Sequence, residues 1–410
     1  MHDKVFPKPA IEAKHRSGLL GAHYDCFVKW MQNNGYSRHT IRSHVQRITH
    51  FAHYLRQKGI CSIHQLEGIN GKELLDAYRH YCKHRGLGHR SFSLKSYLQA
   101  LKEVNIISNL ASRDSLLSPL TQQFLTFLRG QNNLSENTIR RHIGWVEKFL
   151  RFLGYRKNIS SIGIAEIDRF IEQEAIRLKH APHRSYVHAL KNFIGFLYHS
   201  GKIPVDFSYL ISNPRRYKLQ SLPSVLTYSD VEKILNVVDR STKTGLQHYA
   251  ILLLLTTYGL RAGEVAKIKL EDINWRKETI HISGRKTGKD LWLPLTPQVG
   301  KAILKYLKHA RSSSKYREIF LHVYAPRTPL NGSNITYVVN RYIQLAGLNL
   351  PRGGAHILRH SFATHLIRQG VSLKHIGDLL GHRNLESTHI YTKTAIERLR
   401  EVALEVPEVE

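Results

Sequence analysis

The chain lacks what a secreted or membrane protein needs. Only three cysteines stand in its 410 residues. Cys26, Cys61 and Cys82 show no Cys-x-x-Cys spacing, which leaves neither a disulfide framework nor a zinc ribbon. They are read as reduced, mostly buried thiols. The longest apolar run, near Ile251 to Leu255, falls far short of the roughly 20 residues that cross a bilayer. Met1-His2-Asp3-Lys4 is not followed by an apolar h-region, so no secretory signal is visible. A soluble cytoplasmic protein with no membrane partner is expected. Acid is scarce as well: Asp and Glu number 31 against 61 Lys and Arg, a net charge of +30.

At roughly 100–200 residues per domain the length suggests two to four domains. A hydrophobic content of 42% is enough for each to bury a core, which argues against global disorder. A basic chain without a membrane signal points to nucleic acid, because neutralising phosphates releases counterions. A ribosomal-type structural protein or a merely sticky surface would carry the same charge. Charge alone does not choose among them.

What the chain does contain is a repeat. Tyr36-Ser37-Arg38-His39-Thr40-Ile41-Arg42-Ser43-His44-Val45 aligns with Leu134-Ser135-Glu136-Asn137-Thr138-Ile139-Arg140-Arg141-His142-Ile143, 98 residues on. At the same offset Phe51 meets Phe149, and Tyr54-Leu55 meets Phe152-Leu153. His89-Arg90-Ser91-Phe92 matches His183-Arg184-Ser185-Tyr186 at an offset of 94. In each copy a serine, Ser37 or Ser135, is placed to cap a helix. Ile41, Val45, Ile48, Phe51 and Leu55 then recur at the spacing of one helical face. Arg38, Arg42, Gln46 and Lys58 lie opposite, either as an ordinary solvated face or as a surface turned to DNA.

From Asn213 to Val225 the sequence has two prolines, three cations and no helical period, and reads as an extended basic linker. Ser229-Asp230-Val231-Glu232 reads as a Ser-x-x-Glu capping box opening a new domain. Within that domain Thr279 to Ser283 and Leu291 to Pro294 have strand composition, with Gly284-Arg285-Lys286-Thr287-Gly288-Lys289 between them as a turn. Ile273 is a candidate third strand, and Pro294 belongs at an edge or strand end.

Four segments of the C-terminal region can carry chemistry: Gly259-Leu260-Arg261-Ala262-Gly263-Glu264; the turn holding Lys286; His356 to His365; and Leu379-Leu380-Gly381-His382 with Tyr391 beyond. Two arginines, a lysine, two histidines and a tyrosine suit phosphoryl transfer without metal. Guanidinium groups meet the nonbridging oxygens of a pentacoordinate phosphate bidentately, which can replace divalent ions. A tyrosine becomes nucleophilic when cationic neighbours and a histidine partner favour the phenolate. Singly, none of these residues is diagnostic among 20 tyrosines, 61 cations and 26 histidines. Arg261 can simply cap a helix C-terminus. His382 can simply follow a glycine-stopped helix that buries Leu373, Ile376 and Leu380. His356 and His360, at i and i+4, have a zinc-binding spacing, though no glutamate follows the first and no third ligand is evident.

As an ordered set the segments resemble the tyrosine recombinases, the phage integrase and Xer-type superfamily. Members carry an Arg in Gly-Leu-Arg-x-x-Glu, a β-hairpin Lys, His-x-x-Arg, Leu-Gly-His and a Tyr about nine residues further on. Arg261, Lys286, His356, Arg359, His382 and Tyr391 fill those positions here. Arg285 and Lys289 are alternatives for the lysine, but Lys286 fits the family's usual spacing to the following strand. The resemblance implies that Tyr391 attacks the scissile phosphate to give a 3′-phosphotyrosyl bond. Arg261 and Arg359 would clamp the nonbridging oxygens, Lys286 would protonate the leaving 5′ oxygen, His356 would act as base and His382 would hydrogen-bond the phosphate. Glu264 would orient Arg261 or its neighbours. No metal, ATP or other cofactor is implied.

The resemblance is strong from about Leu222 to Ile396 and looser over the two preceding modules, which are similar to the family's helical core-binding domain. A first copy at Tyr24 to Ile106 departs from the common one-module pattern. The implied fold is mainly α: two helical, SAM-like core-binding modules at 18–110 and 115–212, a basic linker at 213–221, a mostly helical catalytic domain with a small antiparallel sheet at 222–404, and an acidic tail at 405–410. The implied activity is site-specific recombination, for integration, excision, transposition or resolution of DNA, by a tetramer on two DNA sites, with sister recombinases or accessory proteins as candidate partners. Arg38, Arg42, Arg140, Arg141, Arg215, Arg216 and Lys218 are candidate DNA contacts, and Ile396 and Leu399 are candidates for docking on an adjacent protomer. A type IB topoisomerase-like enzyme and a catalytically silent DNA-binding regulator are the rival readings.

Overall fold

The computed structural model describes residues 5–6, 8–16, 21–60, 65, 71–84, 91–103, 118–131, 134–154, 159–177, 183–212, 224–283, 290–350 and 353–381. They divide into two compact units, one of residues 1–30 with 38–218 and one of 31–37 with 219–410. Among the described residues no helix is long and apolar enough to cross a membrane. Cys82 is buried and Cys26 half-buried, both as free thiols, while Cys61 lies outside the described residues.

The first unit is helical. Its elements are α1 (Pro9–Arg16), α2 (Tyr24–Asn33), whose last three residues count with the second unit, α3 (Arg38–Gln57), α4 (Gly71–His84) and α5 (Ser91–Glu103), followed by α6 (Pro119–Gly130), α7 (Glu136–Leu153), α8 (Ile164–Arg177) and α9 (His183–His199). The sequence repeat has become a structural one: α3 begins directly after Ser37 and α7 directly after Ser135. Ser135 is an N-cap whose hydroxyl accepts the Thr138 N–H at 3.3 Å. Ile41, Val45, Ile48, Phe51 and Leu55 are all buried on α3. Ile139, Ile143, Val146 and Phe149 are buried at the equivalent places on α7, in a core with Phe124, Phe170 and Phe193. One histidine per copy also enters the core, His44 and His142, exposed by only 3% and 2%. Burial in each case pushes the imidazole down to about 4, which keeps it neutral at physiological pH.

The second unit comprises α10 (Tyr228–Asn236), α11 (Lys243–Tyr258), α12 (Ala262–Lys267), β1 (Ile273–Asn274), β2 (Thr279–Ile282), β3 (Leu291–Pro294), α13 (Pro297–His309), α14 (Gly332–Leu345), α15 (Ala355–Arg368) and α16 (Leu373–Leu380). The apolar run Ile251 to Leu255 lies on α11 and is buried all round, as expected of a helix with no polar face. It packs against α13, α14 and α15. The three strands form an antiparallel sheet in the order β1-β2-β3, with Ile273 opposite Ile280 and Ile280 opposite Leu293. Pro294 closes an edge strand, where its missing N–H costs no ladder bond.

The start of this unit corrects the sequence reading. The capping box is formed by Thr227 and Asp230, not by Ser229 and Glu232. Thr227 Oγ1 accepts the Asp230 N–H at 3.1 Å, and Asp230 Oδ2 accepts the Thr227 N–H at 3.1 Å. The helix therefore begins earlier, and Ser229 falls inside its first turn. The Thr227 hydroxyl, donating to Asp230 Oδ2 at 2.8 Å, and then the Thr227 N–H hold the Asp230 carboxyl below its ordinary value.

Candidate active site

Two helix ends in the second unit meet two arginines. The α11 helix stops at Gly259, which adopts a left-handed conformation at φ 60°. A side chain there would also collide with the Phe362 ring, since an added Cβ would come within 2.4 Å of it. Two constraints thus require the glycine of the Gly-Leu-Arg segment. The α16 helix stops in the same way at Gly381, φ 64°. Both stops leave carbonyls pointing out of the helix with no partner inside it.

The guanidinium groups take up these carbonyls. Arg359, on α15 and only 3% exposed, donates from Nη1 to the Gly259 carbonyl at 2.8 Å and from Nη2 to the Leu380 carbonyl at 2.5 Å. Arg261, which stands just before α12, donates from Nη2 to the Gly381 carbonyl at 3.1 Å and from Nη1 to Glu264 Oε1 at 2.8 Å. Glu264, itself buried, also accepts the Arg261 backbone N–H at 2.9 Å. Arg261 thus caps a helix C-terminus as its sequence position allows, and the helix is α16, which ends at Gly381. Helix C-termini carry partial negative charge, so the buried Arg359 and the half-buried Arg261 are both stabilised where they sit.

His356 stands exposed on the first turn of α15, one helical turn from Arg359. Its ring centroid lies 6.3 Å from that of His360. Burial, then the charges of His356 and Arg359, push His360 down to about 4. It is thus neutral near pH 7 and adds no charge beside the arginines. Among the described residues no group of three or more His, Cys, Asp or Glu gathers in the manner of a metal site.

The structure therefore brings together Arg261, Arg359, Glu264 and the Leu380–Gly381 end of α16. Lys286, His382 and Tyr391, and with them Arg285 and Lys289, lie outside the described residues. So do Arg215, Arg216 and Lys218 of the linker, and Ile396 and Leu399. Of the other candidate DNA contacts, Arg38 is exposed at the start of α3, and Arg140 and Arg141 are exposed on α7. Arg42 is half-buried, and its Nε bonds to the Val5 carbonyl. The Leu380 and Gly381 carbonyls are the feature that sequence reasoning missed, although the two glycines in the motifs were its signal.

The chain matches the phage integrase family over residues 224–398. It matches the phage integrase N-terminal SAM-like domain twice, over residues 120–201 and 27–105. The protein y4rA of Sinorhizobium fredii, named as an integrase/recombinase, is 31% identical over 387 residues, 93% of each chain. The tyrosine recombinase XerD of Listeria innocua is 31% identical over 293 residues, 70% of this chain and 97% of its own. The chain belongs to the tyrosine recombinase family of phage integrases. The recombinase shares its fold with a XerH recombinase solved on a difH substrate, at TM-score 0.54 and 20% identity over 69% of this chain and 93% of that one. It is similar in the same sense to a lambda integrase dimer solved on a core site, at TM-score 0.54 and 18% identity over 72% of this chain and 99% of that one. Each copy of the internal repeat carries its own SAM-like match.

Proposed function

We propose that this tyrosine recombinase cleaves and rejoins duplex DNA with the six residues Arg261, Lys286, His356, Arg359, His382 and Tyr391. The Tyr391 phenol oxygen forms a bond to the scissile phosphorus while the bond from phosphorus to the 5′ oxygen breaks. His356 takes the phenol proton and Lys286 gives one to the departing 5′ oxygen. Arg261 and Arg359 neutralise the nonbridging oxygens as charge gathers there, and His382 hydrogen-bonds the phosphate. Attack by a 5′-hydroxyl on the 3′-phosphotyrosyl bond reverses these steps, so the phosphodiester energy is kept and ATP is not consumed.

One observation carries the reading. Arg261 and Arg359, 98 residues apart in the chain, bond to the adjacent carbonyls of Gly381 and Leu380, so both guanidinium groups meet at one helix end. That convergence is what a shared phosphate site requires.

The DNA relationships of the relatives and the charge of +30 support the further proposal that the protein binds duplex DNA as a multimer, with a tetramer on two sites as the exchanging form. Its domains would be modules at 18–110 and 115–212, a linker at 213–221, a catalytic domain at 222–404 and a tail at 405–410. It would work in the cytoplasm on DNA of the nucleoid or of a mobile element.

The test is to incubate the full chain with nicked duplexes drawn from the flanks of its own gene, with EDTA present, and to separate products on a denaturing gel. A protein–DNA adduct that Tyr391→Phe abolishes, with DNA binding retained, is the expected result. An adduct that persists in Tyr391→Phe refutes the nucleophile assignment. Relaxation of supercoils by a monomer on DNA without a specific site would favour the topoisomerase-like reading.

A further inference from the structure

We infer that Leu226 to Tyr228, where the chain enters the second unit, form a latch that positions the active-site helix α15 through Ser361, His365 and Gln369. The inference rests on the assignment of His356 and Arg359 to the active site.

The three side chains recur every fourth residue and so line one face of α15 and its C-cap. Leu226 is exposed by 1%, so its backbone groups need partners within the protein. Its N–H donates to Ser361 Oγ at 2.7 Å. Ser361 Oγ donates in turn to the Ile357 carbonyl at 2.8 Å, next in sequence to His356. The backbone of Leu226 also hydrogen-bonds the His365 ring, one helical turn further on. The entering segment thus lies against α15 and is held by helix side chains rather than by a strand.

Tyr228 completes the latch. Its ring stacks on His365 with centroids 4.0 Å apart and planes 18° from parallel. Its hydroxyl accepts from Gln369 Nε2 at 3.1 Å. Tyr228 itself is 58% exposed, whereas His365 is 6% exposed. The tyrosine therefore acts as a cover over a buried imidazole. Among the described residues His365 Nε2 is buried with no hydrogen-bond partner. The flat contact with Tyr228 and the bond to Leu226 fix the ring in place of a second hydrogen bond.

The opposite side of the segment is equally committed, since Thr227 caps α10. A shift of Leu226 to Tyr228 must therefore move α10 or α15. On α15 the residues carried along are His356 and Arg359, and a displacement of about 1 Å at reacting groups can lower a rate by about 100-fold. The latch touches no substrate. It acts through the pose of the helix.

The test compares single-turnover adduct formation with DNA affinity in the full-length protein, on nicked duplexes drawn from the flanks of its own gene. Tyr228→Ala is expected to form adduct at least about 10-fold more slowly, with its dissociation constant for the same duplex within about 2-fold of wild type. Tyr228→Phe keeps the ring and is expected to react within about 3-fold of wild type, which separates stacking from the hydroxyl. Ser361→Ala breaks the bond chain without touching the ring, and provides a second slow variant if Tyr228→Ala melts below the assay temperature. A wild-type rate in both Tyr228→Ala and Ser361→Ala overturns the latch, as does a fall in rate matched by an equal fall in affinity. If the wild type itself forms no adduct, the catalytic reading fails and the latch falls with it. The two failures are thereby distinguished.

Discussion

Arg359 in the second unit and Arg140 in the first are the same side chain in opposite settings. Arg359 is 3% exposed and bonded to the carbonyls of Gly259 and Leu380. Arg140 is exposed on α7, with Arg141 beside it. A buried cation is held where it is by fixed partners, so it suits a reaction in which charge develops at one point. An exposed cation keeps its rotamers and its solvent, so it suits attraction to a polyanion along a surface. The first kind should govern rate and the second affinity. Arg42 falls between them: it is the repeat equivalent of Arg140, yet half-buried and bonded to Val5. Equal sequence in the two modules therefore does not give equal surface.

The sharpest way to break this contrast is to exchange the effects. Arg359→Ala should lower adduct formation by about 1000-fold and also destabilise the second unit, because two buried carbonyls lose their donors. Arg359→Lys should rescue little, since an ammonium lacks the fork that spans two carbonyls. Single-turnover cleavage checks both. Near wild-type rates would place Arg359 outside the chemistry. The double change Arg140→Ala with Arg141→Ala should instead weaken DNA binding by roughly 10-fold and lower the salt slope of the binding constant by up to about 2, at about 0.9 for each phosphate no longer neutralised. Titrations at several salt concentrations read this directly. An unchanged slope would remove both residues from the DNA surface.

Acid sharpens the same comparison, because burial acts on histidine as well. His44, His142, His248 and His360 are all pushed down to about 4, with desolvation the leading cause. Their unfolded value is about 6.5. A depressed folded value means that their contribution is present above about 6.5 and is lost as pH falls toward 4. The thermal midpoint measured by calorimetry should therefore be several degrees lower at pH 5 than at pH 7.5. An unchanged midpoint would show that these rings are not buried neutral. The smallest effect expected is at a helix cap. Ser135→Ala should cost about 1 kcal/mol, read from denaturant unfolding, with no change in cleavage chemistry.

Much of the molecule was legible in the sequence. The face Ile41, Val45, Ile48, Phe51 and Leu55 is buried as its spacing requires. The strands Thr279–Ile282 and Leu291–Pro294 pair as their composition suggests. Local patterns of this kind depend on residues a few places apart. What was not legible depends on long-range pairs. The bond from Leu226 to Ser361 spans 135 residues, and the bond from Arg261 to Gly381 spans 120. No periodicity encodes such a meeting. Arg42 looked like its copy Arg140 because nothing near it in sequence shows that Val5 will cover it. The misplaced capping box has another cause: Thr227/Asp230 and Ser229/Glu232 both satisfy the local pattern, and the pinning of Leu226 by Ser361 favours the earlier start.

The central claim is that the arginine pair serves a covalent step at one tyrosine. The most direct measurement is to digest the protein–DNA adduct with protease and identify the nucleotide-bearing peptide by mass. The predicted product is a 3′-phosphate ester on Tyr391. A nucleotide on any other of the chain's 20 tyrosines would contradict it.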